Sequence, residues 1–247
     1  MEIAICRLLG FTSRNSTTFN EVVGPSFDSF VKLANDHCDG WGIATPTDLY
    51  REPTAATKST HFTEEIARRK STGALLHFRW ATPGLAIDLE NTHPFIREGI
   101  SFIHNGALLP GNQLDSKISP DLLASIQGTT DSERFFLYLV TEIRKHGFLS
   151  GVVQGLQYMK DNINFSSINC MVMNEDFFVA ACIYNIDRIP EHFKDQLDYY
   201  SLKFTQNDGE VIVASSGWDQ SEWHEIPNNS VLIVNRATQE YKMQSLS

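Results

Sequence analysis

Residues 73–81, GALLHFRWA, form a short apolar run that ends in Arg79 and Trp80, the pattern of a strand that carries polar groups at its far end. The same character returns in 3–11 (IAICRLLGF), 41–45 (WGIAT), 100–107 (ISFIHNGA), 168–173 (INCMVM), 177–184 (FFVAACIY), 199–204 (YYSLKF), 210–216 (EVIVASS) and 231–235 (VLIVN). Each is bounded by turn residues, and strands this apolar predict sheets buried on at least one face. Between them the period changes. Phe27, Phe30, Val31 and Ala34 share a helical face after Pro25, and Phe135, Phe136, Leu139, Val140 and Ile143 share another. Pro120 suits a first helical position, with Gly128 as a stop. Residues 63–70 place Glu64 and Glu65 four positions ahead of Arg68 and Arg69, which predicts a solvated surface helix. Early strands, central helices and late strands predict an α+β fold with helices packed on sheets.

The 247 residues carry 20 basic and 30 acidic side chains, a net charge of −10, with 42% hydrophobic residues. That acidity argues against general affinity for nucleic acid or anionic membrane. No apolar run reaches the length of a spanning helix, and MEIAICRLLG lacks the basic head of a signal peptide, so a soluble, cytoplasmic protein is expected. No repeat or linker divides the chain, so residues 1–247 are expected to form one domain. Cys6, Cys38, Cys170 and Cys182 include no C-x-x-C pair and read as reduced thiols.

Polar groups gather in four stretches at strand ends: His37-Cys38-Asp39-Gly40-Trp41-Gly42, His77-Phe78-Arg79-Trp80-Ala81-Thr82, Asn91-Thr92-His93-Pro94-Phe95 and His104-Asn105-Gly106. Thr130-Asp131-Ser132-Glu133 opens a helix, with Thr130 and Glu133 spaced as a capping box. Together with Cys6-Arg7-Leu8-Leu9-Gly10, these motifs in this order resemble the class II glutamine amidotransferases, N-terminal-nucleophile hydrolases that release ammonia from glutamine. The resemblance covers most of the chain and is closest to the family's short stand-alone members. It implies a four-layer αββα sandwich with two mainly antiparallel sheets.

It also implies site roles. Cys6 would be the nucleophile, its own α-amine the base, since a thiol near pKa ~8.5 and an amine near ~7.7 suit each other at neutral pH. Met1 to Ile5 precede Cys6, so this role requires their removal. Asn105 and the Gly106 N–H would stabilise the oxyanion, Arg79 and Thr82 would hold the substrate α-carboxylate, and Asp131 would hold the α-ammonium. Gly42 and Trp41 would line the glutamine pocket, and His93 would organise a loop. Plain structural readings stand beside these. Asn105-Gly106 is also the commonest tight-turn signal, Cys6 an apolar strand residue, and Asp131 a helix-end charge. Arg79 inside an apolar run nevertheless calls for an anion.

No metal-binding spacing occurs among the histidines, and neither metal nor organic cofactor is expected. The expected reaction is hydrolysis of glutamine or another γ-glutamyl amide through a glutamyl thioester. A glutaminase subunit serving a separate synthetase, or a non-catalytic protein that retains the glutamyl pocket, remain as alternatives.

Overall fold

A computed structural model describes residues 6–189, 198–207 and 209–247; the segment Met1 to Ile5 lies outside these. Its strands are β1 (Arg7–Thr17), β2 (Trp41–Ala44), β3 (Leu49–Glu52), β4 (Ser71–Phe78), β5 (Phe95–Arg97), β6 (Ile100–Leu108), β7 (Phe165–Met173), β8 (Phe177–Cys182), β9 (Leu202–Asn207), β10 (Glu210–Ser215), β11 (His224–Ile226), β12 (Ser230–Asn235) and β13 (Tyr241–Ser245). The α-helices are α1 (Phe19–Val23), α2 (Phe27–Lys32), α3 (Phe62–Arg68), α4 (Pro120–Leu123), α5 (Asp131–His146) and α6 (Phe148–Asn162).

Two antiparallel sheets result among the described residues, one ordered β11-β9-β10-β1-β4-β2-β3 and the other β13-β12-β8-β7-β6-β5. Side-chain alternation explains how they stack. In β1, Leu8 joins a core shared by both sheets, whereas Leu9 and Phe11 face Phe19, Phe27 and Phe30 of the helical layer outside. In β6, Ile103 enters the same inter-sheet core, while Phe102 packs on Phe135 and Phe136 of α5. Both sheets are therefore covered on both faces, which gives four layers in the order α, β, β, α. Such burial explains why the strands read as continuous apolar runs.

The helices depart from expectation in detail. Only Pro120–Leu123 of the segment beginning at Pro120 is α-helical, far short of Gly128. The helix expected at 63–70 is Phe62–Arg68, and it is not simply solvated: Glu65 and Arg69 are buried and ion-paired, with Asp48 closing on Arg69 Nε at 3.0 Å. The strand read at 199–204 starts only at Leu202, because Tyr199 and Tyr200 turn and bury their rings. Thr130 caps α5 by accepting from Glu133 N at 3.3 Å, but the Glu133 carboxylate turns instead to Gln127 N and Gly128 N. A complete capping box occurs at Thr18 and Glu21, opening α1. Among the described residues, no helix is long and apolar enough to cross a membrane.

Candidate active site

Cys6 immediately precedes β1, which runs between β10 and β4 in the middle of its sheet. Asn105 lies in β6 of the other sheet, and its Oδ1 accepts a hydrogen bond from Cys6 N at 2.8 Å across 99 positions of sequence. The Cys6 thiol faces the Trp80 carbonyl at 3.7 Å. Burial pushes this thiol up to about 11, against a backbone hydrogen bond at Trp80 and the charges of Arg79 and Arg7, which pull it down. A thiol in that state is protonated at neutral pH and is a poor nucleophile without a nearby base.

Asn105 and Gly106 are strand residues facing Asn169 and Ile168 of β7, so the tight-turn reading of this dipeptide does not apply. Gly106 has a φ of 144°, and a Cβ there would stand 1.9 Å from the Ser167 carbonyl oxygen. Only glycine allows the strands to approach so closely. The pairing register shifts just beyond, between Gly106 and Leu108. There the freed Leu108 N–H donates to Asp131 Oδ2 at 2.6 Å, tying the first residue of α5 to β6.

Arg79 follows β4, its backbone held by Arg79 N to Gly40 O at 2.8 Å and Asp39 N to Arg79 O at 3.0 Å. The side chain is 3% exposed. Its Nη2 donates to Ala86 O at 3.0 Å, whereas Nη1 is buried and has no hydrogen-bond partner among the described residues. Burial lowers its pKa, opposed by Cys6, Asp39 and Asp88. Among the described residues no carboxylate forms an ion pair with it, so a buried cation has been left open for an anion.

Cys6, Arg79, Trp80, Thr82, His93, Gly106 and Asp131 together line one cleft of about 360 Å³, including its mouth. Gly42 and Trp41 do not line it. Trp41 is fully buried in the outer core of its sheet, packed on Tyr50 and Phe62 with its indole N–H on Glu52. Gly42 acts one step away: a Cβ there would stand 2.3 Å from the His93 carbonyl oxygen, so its absence lets the His93 loop sit against β2.

His93 stacks on His77, with ring centroids 4.2 Å apart, and both are buried. Burial pushes His77 down to about 3 and holds His93 well below 6.5, with neighbouring charges adding to both. These rings are neutral packing groups at neutral pH. Among the described residues no group of three or more His, Cys, Asp or Glu side chains is arranged to hold a metal ion.

Two cleft residues, His104 and Ser132, escaped the sequence reading although both lie inside quoted motifs. His104 Nε2 faces the Ser167 carbonyl at 3.2 Å, and a carbonyl only accepts, so the ring proton sits on Nε2. Burial lowers the His104 pKa and keeps the ring neutral, so Nδ1 accepts from the Ser132 hydroxyl at 2.9 Å. Ser132 has one proton to give. Its longer contact to Asp131 Oδ1, at 3.5 Å, is then the weaker claim, and that oxygen is kept as an acceptor at the cleft. Asn91, also missed, is fully buried and bridges Thr129 N to Ala86 O, which fastens the loop after Arg79 beside α5.

Residues 5–245 match the family model for class-II glutamine amidotransferases. An uncharacterized protein of Methanocaldococcus jannaschii is 27% identical over 272 residues, covering 98% of this chain and 73% of that protein. A Haemophilus influenzae protein named "Putative glutamine amidotransferase" is 31% identical over 202 residues, covering 74% of this chain and 64% of its own length. Among solved structures, a glutamine aminotransferase class-II domain protein from Silicibacter pomeroyi superposes with a TM-score of 0.66 over 98% of this chain and all of that one. At 17% identity that last likeness concerns the fold.

Proposed function

Because the chain belongs to the class-II glutamine amidotransferases and has their N-terminal-nucleophile-hydrolase fold, we propose that residues 1–247 make up one domain that, once Met1 to Ile5 are removed, hydrolyses γ-glutamyl amides through a thioester on Cys6. The contact of Cys6 N with Asn105 Oδ1 at 2.8 Å carries this reading. Once Met1 to Ile5 are removed, that nitrogen becomes an α-amine. It still donates to Oδ1, which turns the opposite end of the Asn105 amide, with its N–H donors, toward a substrate carbonyl.

The α-amine takes the thiol proton, and the thiolate attacks the γ-carbonyl carbon. Asn105 Nδ2 and the Gly106 N–H hold the resulting oxyanion, a pair of donors of which each is worth roughly 10²-fold to 10³-fold in rate. Collapse breaks the carbon–nitrogen bond, and the departing amine or ammonia takes the proton from the α-ammonium. Water, deprotonated by the same amine, attacks the thioester. Glutamate leaves, and the proton returns to sulfur.

Arg79, with Thr82 beside it, receives the α-carboxylate, which supplies the anion its buried guanidinium lacks. Asp131 receives the α-ammonium on the oxygen that Ser132 leaves open. His93 holds the wall behind them, and Trp41 and Gly42 act at a distance by setting β2 and that wall. The buried thiol, pushed up to about 11 while its nitrogen is part of a peptide, supports the need for a free terminus. Glutamate release from glutamine, together with intact-mass spectrometry, tests this: active protein is expected to begin at Cys6, and Cys6→Ser to fold but not turn over. Full activity in protein that retains Met1 to Ile5, or in Cys6→Ser, refutes it.

A further inference from the structure

The first turn of α5 gives Asp131 and Ser132 to the active-site cleft and Glu133 to a second cavity, of about 520 Å³ including its mouth. Three elements build that cavity through their own periods. Leu49 and Arg51 fall on one face of β3, Phe95 and Arg97 on one face of β5, and Glu133, Phe136 and Leu137 on one stripe of α5. β3 and β5 are edge strands of the two sheets, and among the described residues no further strand pairs with either on its open side. The space is of the size that takes a small organic molecule.

Phe95, Phe136 and Leu137 are buried and give the cavity an apolar floor. Its charges do not cancel. Glu133 is buried as well, but its two carboxylate oxygens accept from Gln127 N at 2.9 Å and Gly128 N at 2.7 Å, and Glu98, next to Arg97 in the chain, pairs with Arg144 instead. Arg51 donates from Nη1 to Thr92 O and Arg97 from Nη2 to Ser125 Oγ, each at 2.9 Å. Both acceptors are neutral. Among the described residues neither guanidinium closes an ion pair, and Glu90 and Glu133 favour the charged form of Arg51 from a distance, against the effect of burial. Two half-buried cations beside an apolar floor are costly unless an anion meets them, and a planar fork suits a carboxylate.

We propose that this cavity is a second binding site, separate from the Cys6 cleft, for a small organic carboxylate whose apolar body lies on Phe95, Phe136 and Leu137 and whose charge meets Arg51 and Arg97. Inorganic phosphate would answer the cations but leave the apolar floor uncovered, and a neutral apolar molecule would do the reverse. The ligand touches none of the reacting groups. It sits close to them all the same, because Arg51 holds the carbonyl of Thr92, and the next residue, His93, lines the cleft.

Calorimetry on the full chain tests this with phenylacetate and phenylacetamide, which share a ring and differ in charge. The acid is expected to bind about 10-fold to 100-fold more tightly than the amide, the range of a charge-assisted hydrogen bond. Arg97→Gln should weaken the acid by about 10-fold and leave the amide unchanged. Ile96→Trp, which enlarges a half-buried side chain at the cavity on edge strand β5, should remove binding of both. Arg79→Met, in the cleft, should leave both unchanged. The assignment is overturned by absence of binding, by equal affinity for acid and amide, by inorganic phosphate binding as tightly as the acid, or by acid affinity that survives Arg97→Gln and Ile96→Trp. Loss of binding in Arg79→Met alone overturns it too, by placing the probe in the cleft. No turnover is read, so the outcome is independent of whether Cys6 forms a thioester.

Discussion

Replacing Gly106 by alanine tests how tightly the candidate oxyanion residues are built into the sheet. The added Cβ would stand 1.9 Å from the Ser167 carbonyl oxygen, 2.5 Å from its carbon and 2.9 Å from its Cα. Close carbon–oxygen contacts in sheets are about 3.3 Å, so β6 and β7 would have to part locally by roughly 1.4 Å. A φ of 144° adds backbone strain of about 1–3 kcal/mol for a residue with a side chain. Overpacking against backbone, which cannot rotate away, adds about 1–3 kcal/mol more. Stretching Ala107 N to Ser166 Oγ, now 3.1 Å, forfeits part of a hydrogen bond worth about 1 kcal/mol. The expected loss is about 2–7 kcal/mol, or roughly 4–28 °C in Tm for a chain of this size. Circular-dichroism melts would read it, with Gly99→Ala as the control. Gly99 also has positive φ, 72°, but a Cβ there meets nothing within 4 Å, so its alanine variant carries strain without the clash. Glutamate release by the Gly106→Ala protein, assayed below its Tm, is expected to fall by at least about 10²-fold as the donors shift. A Tm no lower than that of Gly99→Ala refutes the argument from close approach.

Arg79→Met removes a buried guanidinium whose Nη1 has no partner among the described residues. Stability is therefore expected to stay level or rise, while the KM for glutamine climbs by roughly 10²-fold; a fall in Tm with unchanged KM would show that Arg79 serves the fold alone. For His77, His93 and His104, burial holds the folded-state pKa below the ordinary 6.5, to about 3 for His77. The unfolded chain binds those protons more readily, so their contribution is whole above pH 6.5 and is lost as pH falls toward the folded values. Unfolding free energies from urea titrations at pH 7 to 5 should drop by up to about 1.4 kcal/mol per pH unit for each histidine, and His93→Phe should flatten the curve. A profile that is level over this window in the wild type would contradict the neutral stack.

The local sequence was most informative where one residue's environment repeats along an element. Runs such as 168–173 and 210–216 had only to be apolar and bounded by turns to be read as buried strands, and α5 had only to keep its apolar period behind Thr130. The site motifs were legible as polar groups at strand ends, and their order suggested the family that residues 5–245 match. Short-range reasoning failed where a distant partner decides. Trp41 resembles a pocket wall beside its glycines, yet Phe62 and Tyr50 draw it into the core. Glu65 and Arg69 have surface-helix spacing, but Asp48 from the neighbouring hairpin makes burying them tolerable.

Composition and periodicity thus determined the chemistry available to this chain and the kinds of element that would carry it. Only the tertiary structure decided which groups meet. Asn105-Gly106 became strand because β7 pairs beside it, and Cys6 N reached Asn105 across 99 positions because two sheets pack face to face. The tautomer of His104 follows from a carbonyl on Ser167, and the open nitrogen of Arg79 follows from what, among the described residues, does not lie next to it. Propensity acts through a few neighbouring dihedrals, whereas these outcomes depend on contacts whose partners lie tens of residues away, and no local preference specifies them.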